Sequence, residues 1–170
     1  LRYRVTEKDL ERFTRLRFLC RMGVGYDGID RVACAKRQIT VMNVPDYGTE
    51  EVADSAIGLT LALTRGIATL NSLLQANPAH EWTYKHVAPI HRLRGRVFAV
   101  VGLGRIGQYM ARYGHALGMK VLAWSQNLTE ERARVAGAEL VTKERLFSES
   151  DAITVHLVLG PRSRGLIGAA

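Results

Sequence analysis

The chain has 170 residues, of which 47% are hydrophobic and 24% charged, and its formal net charge at pH 7 is +8. This composition excludes disordered, collagen-like and low-complexity proteins, and no apolar run approaches the roughly 18 residues that a membrane span needs. The two cysteines are too few for a disulfide framework and lack metal-ligand spacing, so the sequence predicts a cytoplasmic protein without a metal site.

Most of the positive charge lies in one segment. Residues 80–120 carry seven basic side chains and one acidic side chain, whereas residues 121–170 carry six of each. Because no run of Lys and Arg is interleaved with aromatic residues, the sequence gives no indication of nucleic-acid binding. The basic excess surrounds a glycine motif, which favours a small phosphorylated ligand.

The first third of the chain predicts two strands with a helix between them. Residues 18–22 form a short apolar run that ends at Gly23, and residues 39–44 form a second run that stops at Pro45. Apolar residues at helical spacing predict a helix over residues 29–37.

A long helix is predicted over residues 49–75. Thr49 can cap it, and Glu50 and Glu51 lie in its first turn, where the helix dipole favours acidic side chains. Few positions on any face are polar. Such a helix must be buried on several sides, either in a domain core or against a second subunit.

After an irregular connection over residues 79–94, strands and helices alternate. Strands are predicted over residues 97–101, 120–124, 139–141 and 152–157, and helical segments over 106–117, 129–136 and 143–147. Near-continuous apolar strands that alternate with helices are typical of a doubly wound parallel sheet. We therefore expect an α/β fold of the Rossmann type.

A glycine motif follows the first strand of this series. Residues Gly102-Leu103-Gly104-Arg105-Ile106-Gly107 fit the pattern G-x-G-x-x-G between a strand and a helix. In dinucleotide-binding domains the first glycine allows a tight turn, the second lets the backbone approach a pyrophosphate, and the third lets the helix pack on the strand. The helix N-terminus adds free N–H groups and a positive dipole. The sequence thus predicts a site for NAD or NADP.

The acidic residue that should follow this motif by about 20 positions is missing. Ser125, Gln126 and Asn127 take its place after the second strand. Without a carboxylate, the site loses an acceptor for the adenosine ribose and also loses repulsion against a 2′-phosphate. No Arg or Lys follows directly, so NAD is slightly favoured while NADP remains open. The three residues could equally form a simple turn.

Three blocks of the chain together resemble the D-2-hydroxyacid dehydrogenases, a family that includes phosphoglycerate, hydroxypyruvate and glyoxylate enzymes. The blocks are residues 21–30, segments between residues 43 and 65, and residues 93–124 with the glycine motif. The resemblance implies part of a flavodoxin-like substrate domain over residues 1–46. It also implies an incomplete Rossmann-type domain over residues 47–170 and a homodimer formed through the helix over residues 49–75.

The same resemblance implies roles for individual residues. Val24 and Gly25 would hold the substrate carboxylate. Arg105 and Ile106 would cover the pyrophosphate, Ser125 would take the position of the ribose-binding acid, and residues 156–158 would flank the adenine or its ribose. The full set of implied cofactor-binding residues is Thr49, Gly102, Gly104, Arg105, Ile106, Gly107, Ser125, Gln126, Asn127, His156, Leu157 and Val158.

Catalysis in this family uses an arginine, a glutamate and a histidine, which by resemblance would follow Ala170. We therefore expect this chain alone to bind a dinucleotide weakly and not to turn over. The implied reaction is reduction of a small 2-keto acid to a D-2-hydroxy acid by hydride transfer. Residues 81–95 also resemble the C-terminal-binding-protein corepressors, so a dinucleotide-sensing dimeric interaction protein is the alternative.

Overall fold

The structure is a computed structural model that describes residues 4–77, 79 and 83–168. The chain divides into two compact units, Leu1–Gly48 and Thr49–Ala170. Each unit contains its own parallel sheet with flanking helices, so the predicted α/β class is confirmed.

The first unit is a small parallel sheet covered by short helices. Its elements are α1 (Glu7–Glu11), β1 (Phe18–Arg21), α2 (Arg31–Lys36) and β2 (Thr40–Asn43), with Phe18 of β1 paired to Thr40 of β2. The predicted helix over residues 29–37 is shorter than expected because the Asp30 side chain accepts a hydrogen bond from the Ala33 N–H at 2.9 Å and caps it. The core consists of Leu10, Ile29, Ala33, Cys34 and Ile39.

The second unit contains a four-stranded parallel sheet in the order β5–β4–β3–β6. Its elements are α3 (Thr49–Thr64), α4 (Ile67–Ala76), β3 (Val97–Val101), α5 (Arg105–Ala116), β4 (Lys120–Trp124), α6 (Glu130–Val135), β5 (Glu139–Leu140), α7 (Lys143–Glu149) and β6 (Ala152–Val155). All four predicted strands are present, and the helix predicted over residues 143–147 extends to Glu149.

The central strand β3 faces a separate core on each side of the sheet. Phe98 and Val100 pack in one core with residues of α3 and α5, and Ala99 and Val101 pack in the other with Leu146 of α7. Alternate residues of a strand point to opposite faces, so both sets are buried. This arrangement confirms the doubly wound sheet.

The prediction of one continuous helix over residues 49–75 was wrong. The segment forms two helices, α3 and α4, which are bent by 67° at a break. Gly66 lies in this break with φ +63°, a left-handed conformation that glycine adopts at little cost and that cannot continue an α-helix. Thr49 is the first residue of α3.

Only one side of α3 packs in a core of this chain, and no residue of α4 is buried. Ala53 is buried in α3, whereas Leu59 and Leu63 of the same helix are 66% and 82% exposed. Among the described residues, no single helix is long and apolar enough to cross a membrane, and only α3 and α4 taken together as a bent pair meet that test.

Two glycines inside helices predict opposite effects of the same substitution. A Cβ at Gly114 of α5 would lie 2.8 Å from Cδ1 of Phe98 and 3.0 Å from Cγ2 of Val121, whereas a Cβ at Gly58 of α3 would meet nothing within 4 Å. We expect Gly114→Ala to lower the free energy of unfolding by about 1–3 kcal/mol through overpacking. Gly58→Ala should raise it by about 1 kcal/mol through helix propensity. Urea unfolding of both variants checks this, and equal stability of Gly114→Ala and the wild type would contradict the close helix–sheet packing.

Candidate dinucleotide-binding site

The glycine motif lies at the carboxyl end of the central strand. After β3 the chain passes through α5 to β4 on one side, whereas β6 pairs with the opposite edge of β3. The strands that follow β3 are therefore added first on one side of it and then on the other, and ligands of open α/β sheets bind at such a switch point.

The three glycines of the motif have different surroundings. A Cβ at Gly102 (φ +98°) would lie 2.6 Å from the carbonyl oxygen of His156, and a Cβ at Gly107 would lie 2.1 Å from the carbonyl oxygen of Gly102. A Cβ at Gly104 would meet nothing within 4 Å. Gly102 and Gly107 thus allow close packing of the loop, whereas Gly104 leaves open space in front of the backbone. This arrangement fits a dinucleotide pyrophosphate, which must approach the backbone closely.

Among the described residues, no side chain caps the N-terminus of α5. Its N-cap residue is Gly104, and no acidic residue lies in its first turn. By contrast, Thr129 and Thr142 cap α6 and α7 through side-chain hydrogen bonds to the Arg132 and Arg145 N–H groups. The positive end of the 12-residue helix α5 therefore faces the open side of Gly104, where it favours an anion.

Thr49 begins the helix that packs against α5. The Tyr109 hydroxyl donates a hydrogen bond to Oε1 of Glu50 at 2.5 Å, and the Tyr113 hydroxyl donates one to Asp54. The bond to Asp54 raises the pKa of Tyr113, so its hydroxyl stays protonated as a donor. These two contacts fix the first turns of α3 on the flank of α5.

His156 follows β6 and lies directly beside the glycine motif. Its backbone N–H donates a hydrogen bond to the carbonyl oxygen of Val101 at 2.8 Å. The ring nitrogen Nε2 lies 2.7 Å from Oγ1 of Thr154. Burial lowers the pKa of the imidazole below its ordinary value of 6.5, so the ring is neutral at pH 7. His156 is therefore a fixed, uncharged group at the end of the strand.

A cleft of about 580 Å³ brings together most of the remaining predicted residues. Ser125, Gln126 and Asn127 line it after β4, and Leu157 and Val158 line it after β6. The structure therefore places the residues predicted to contact the adenosine in one cleft. Its full lining is Trp124, Ser125, Gln126, Asn127, Lys143, Leu157, Val158, Gly160, Pro161, Arg162, Ser163 and Leu166.

Two of these lining residues, Lys143 and Arg162, were missed in the sequence, although one signal could have revealed the first. Strand β5 pairs in parallel with β4, and Lys143 comes three residues after the end of β5 at Leu140. Because parallel strands end at the same edge of a sheet, a basic residue directly after β5 lies beside the residues that follow β4. Arg162 lies in the irregular segment after β6 and gives no such signal.

Val24 and Gly25 belong to the first unit. Gly23 has φ +148°, and the carbonyl oxygen of Val24 accepts a hydrogen bond from Nδ2 of Asn43 at 2.9 Å. Within the part of the chain that the structure describes, the N–H groups of Val24 and Gly25 make no backbone hydrogen bond. A Cβ at Gly25 would meet only Oδ2 of Asp27, at 3.9 Å. These N–H groups are free to bind an anion such as a carboxylate.

Residues 57–170 match the family model described as the NAD-binding domain of D-isomer specific 2-hydroxyacid dehydrogenases. The chain belongs to this family. D-3-phosphoglycerate dehydrogenase of Synechocystis sp. is 36% identical over 98% of this chain and 29% of its own length. Glyoxylate reductase of Thermococcus litoralis is 34% identical over 97% of this chain and 51% of its own length.

Solved structures of dehydrogenases share the fold. The apo-structure of D-lactate dehydrogenase from Escherichia coli has a TM-score of 0.82 and 28% identity over 96% of this chain and 51% of its own. D-lactate dehydrogenase from Aquifex aeolicus, solved with NAD and lactic acid, has a TM-score of 0.79 and 28% identity over 94% of this chain and 47% of its own. The chain thus spans about a third to a half of the length of the dehydrogenases that it matches.

The half-buried imidazole of His156 predicts a pH dependence of stability. Because the folded-state pKa lies below the unfolded value of about 6.5, the unfolded state binds more protons as the pH falls through 6.5, and stability decreases. We expect the melting temperature to fall between pH 7 and pH 5.5, and to fall less in His156→Gln. The pKa of the Glu149 carboxyl is also lowered, but its titration changes the stability only below its ordinary value of 4.5, outside this pH range. Thermal unfolding checks this, with the exposed His91→Gln as the control. An identical pH dependence in His156→Gln and the wild type would contradict it.

Proposed function

We propose that this chain binds NAD(P) as part of an oxidoreductase that acts on the CH–OH group of a small D-2-hydroxy acid, and that reduces the corresponding 2-keto acid. The observation that carries the proposal is the open face of Gly104 at the end of β3, in front of the uncapped N-terminus of α5. Membership of the D-2-hydroxyacid dehydrogenase family supports it, and so do relatives such as glyoxylate reductase.

Each unit would have a separate task. In residues 47–170, the backbone at Gly104 with Arg105 and Ile106 would bind the pyrophosphate. The cleft behind Ser125 would bind the adenosine, and Thr49 would border the cofactor. In residues 1–46, part of the substrate domain, the N–H groups of Val24 and Gly25 would bind the substrate carboxylate. The bound nicotinamide supplies or accepts the hydride.

His156, beside the glycine motif, and His115, in the last turn of α5 at the other end of that helix, would stabilise the fold instead of transferring a proton. His156 is paired with Thr154, and Nε2 of His115 lies 2.7 Å from the carbonyl oxygen of Gly137. A proton donor must reach the reacting oxygen. We infer that the family's arginine, glutamate and histidine, expected beyond Ala170, carry out that step.

Substitution of Gly104 tests the cofactor site. In Gly104→Ala the new methyl group occupies the open space in front of the backbone, and the extended conformation of this residue (φ −80°) suits alanine. We expect NADH and NADPH to bind at least about tenfold more weakly, which is about 1.4 kcal/mol, with the melting temperature unchanged. Isothermal titration calorimetry measures this, with Gly58→Ala as the matched control. Binding equal to that of the wild type would argue against the site.

The wild-type chain should bind the cofactor without turnover. With glyoxylate or hydroxypyruvate present, we expect no oxidation of NADH or NADPH by this chain, measured as absorbance at the nicotinamide band. Turnover would show that the proton donor lies within these 170 residues.

We further propose that the protein forms a homodimer through α3 and α4. Four apolar side chains of these helices are exposed, and exposed apolar patches are typical of interfaces. They are Val52 (48%), Leu59 (66%), Leu63 (82%) and Ile67 (53%). Leu63→Glu should shift the protein to monomers in sedimentation velocity. Val135→Glu, which changes an exposed apolar residue of α6, is the matched control and should leave the oligomeric state unaltered. A monomeric wild type would refute the proposal.

The remaining inferences concern the cell and the alternative function. Cys20 and Cys34 are free thiols, which supports a reducing compartment such as the cytoplasm. The relatives described above are dehydrogenases and reductases, and no contact of the described residues favours the corepressor alternative, so we do not propose it.

A further inference from the structure

The cleft behind Ser125, which is lined by the residues that follow β4 and β6, is positively charged. Its lining includes two cationic side chains, Lys143 and Arg162, and no acidic side chain. Lys143 is the first residue of α7, and Arg162 lies in the segment that follows β6. The two charges therefore come from different elements and meet at the same cleft as the polar residues that follow β4.

Neither charge is neutralised by the described part of the protein. Lys143 and Arg162 form no ion pair and no side-chain hydrogen bond with any described residue. The neighbouring Arg145 differs, because it pairs with Glu139 and with Oε1 of Glu149, the latter at 2.7 Å. Glu139 and Glu149 are thus bound to Arg145, and no carboxylate lines the cleft, so the positive charge of Lys143 and Arg162 remains available to a ligand.

The polar residues at the cleft suit a phosphate better than a ribose diol. Ser125, Gln126 and Asn127 can each donate a hydrogen bond, and none carries a negative charge. A ribose with free hydroxyls is best held by a carboxylate, which accepts two hydrogen bonds. A 2′-phosphate is instead repelled by a carboxylate and is bound by donors and cations.

We propose that this cleft is a binding site for the 2′-phosphate of NADP(H). Lys143 and Arg162 supply the charge, Ser125, Gln126 and Asn127 supply hydrogen bonds, and the protein consequently prefers NADP(H) to NAD(H). The proposal rests on the dinucleotide site proposed above and specifies which dinucleotide it takes.

Fragments without the nicotinamide test the cleft independently of any turnover. The full chain is titrated by calorimetry with adenosine 2′,5′-bisphosphate and with AMP, which differ only by the 2′-phosphate. We expect the bisphosphate to bind at least about tenfold more tightly, with an affinity that falls steeply as salt is added. Equal affinity for the two fragments would overturn the 2′-phosphate site and leave the dinucleotide site standing. Failure of both fragments to bind would overturn both proposals.

Three substitutions sharpen the test. Lys143→Gln and Arg162→Gln should each weaken the bisphosphate several-fold, and together they should abolish its advantage, with AMP binding unchanged. Ser125→Asp should reverse the preference, because it restores an acceptor for the ribose and repels the phosphate. Arg132→Gln, an exposed residue of α6 outside the cleft, is the charge-matched control. An undiminished preference in the Lys143→Gln/Arg162→Gln double variant would contradict the assignment.

Discussion

The second unit depends on the close approach of backbone atoms at the turn between β3 and α5. The carbonyl oxygen of Gly102 occupies the space that a Cβ of Gly107 would need, and the carbonyl oxygen of His156 does the same at Gly102. These contacts bring α5 onto the sheet and β6 against β3. They also decide where the N-terminus of α5 points, so the packing of the domain and the position of the anion site have one cause.

The parts of the site differ in how they recognise a ligand. At Gly104 the protein offers backbone and a helix terminus, which suit any dinucleotide. At Ser125 it offers side chains, and those can discriminate between dinucleotides. His156 connects the two regions, because its backbone packs on Gly102 and its successors Leu157 and Val158 line the cleft. Binding of the pyrophosphate, which all dinucleotides share, thus depends on the conformation of the main chain. Discrimination between dinucleotides depends on side chains that can be exchanged.

The sequence predicts the sheet well because four apolar runs and their flanking glycines carry the information locally. It fails at Gly66, since the periodicity of apolar residues continues through a break that only the left-handed φ reveals. It misses α1, a five-residue helix whose only buried side chain is Leu10 and whose capping box is the main signal. Lys143 and Arg162 are missed for another reason: they are distant from Ser125 in sequence, and the pairing of β5 with β4 is needed to bring the first of them near.

The backbone construction of the glycine turn has a consequence for sequence divergence. Two positions in the turn, Gly102 and Gly107, have no room for a side chain, whereas Arg105 between them is exposed. Drift at that exposed position leaves the turn intact, and drift at Gly102 or Gly107 does not. Descendants of this chain can therefore alter the charge and shape around the phosphates step by step, without passing through an intermediate that fails to fold.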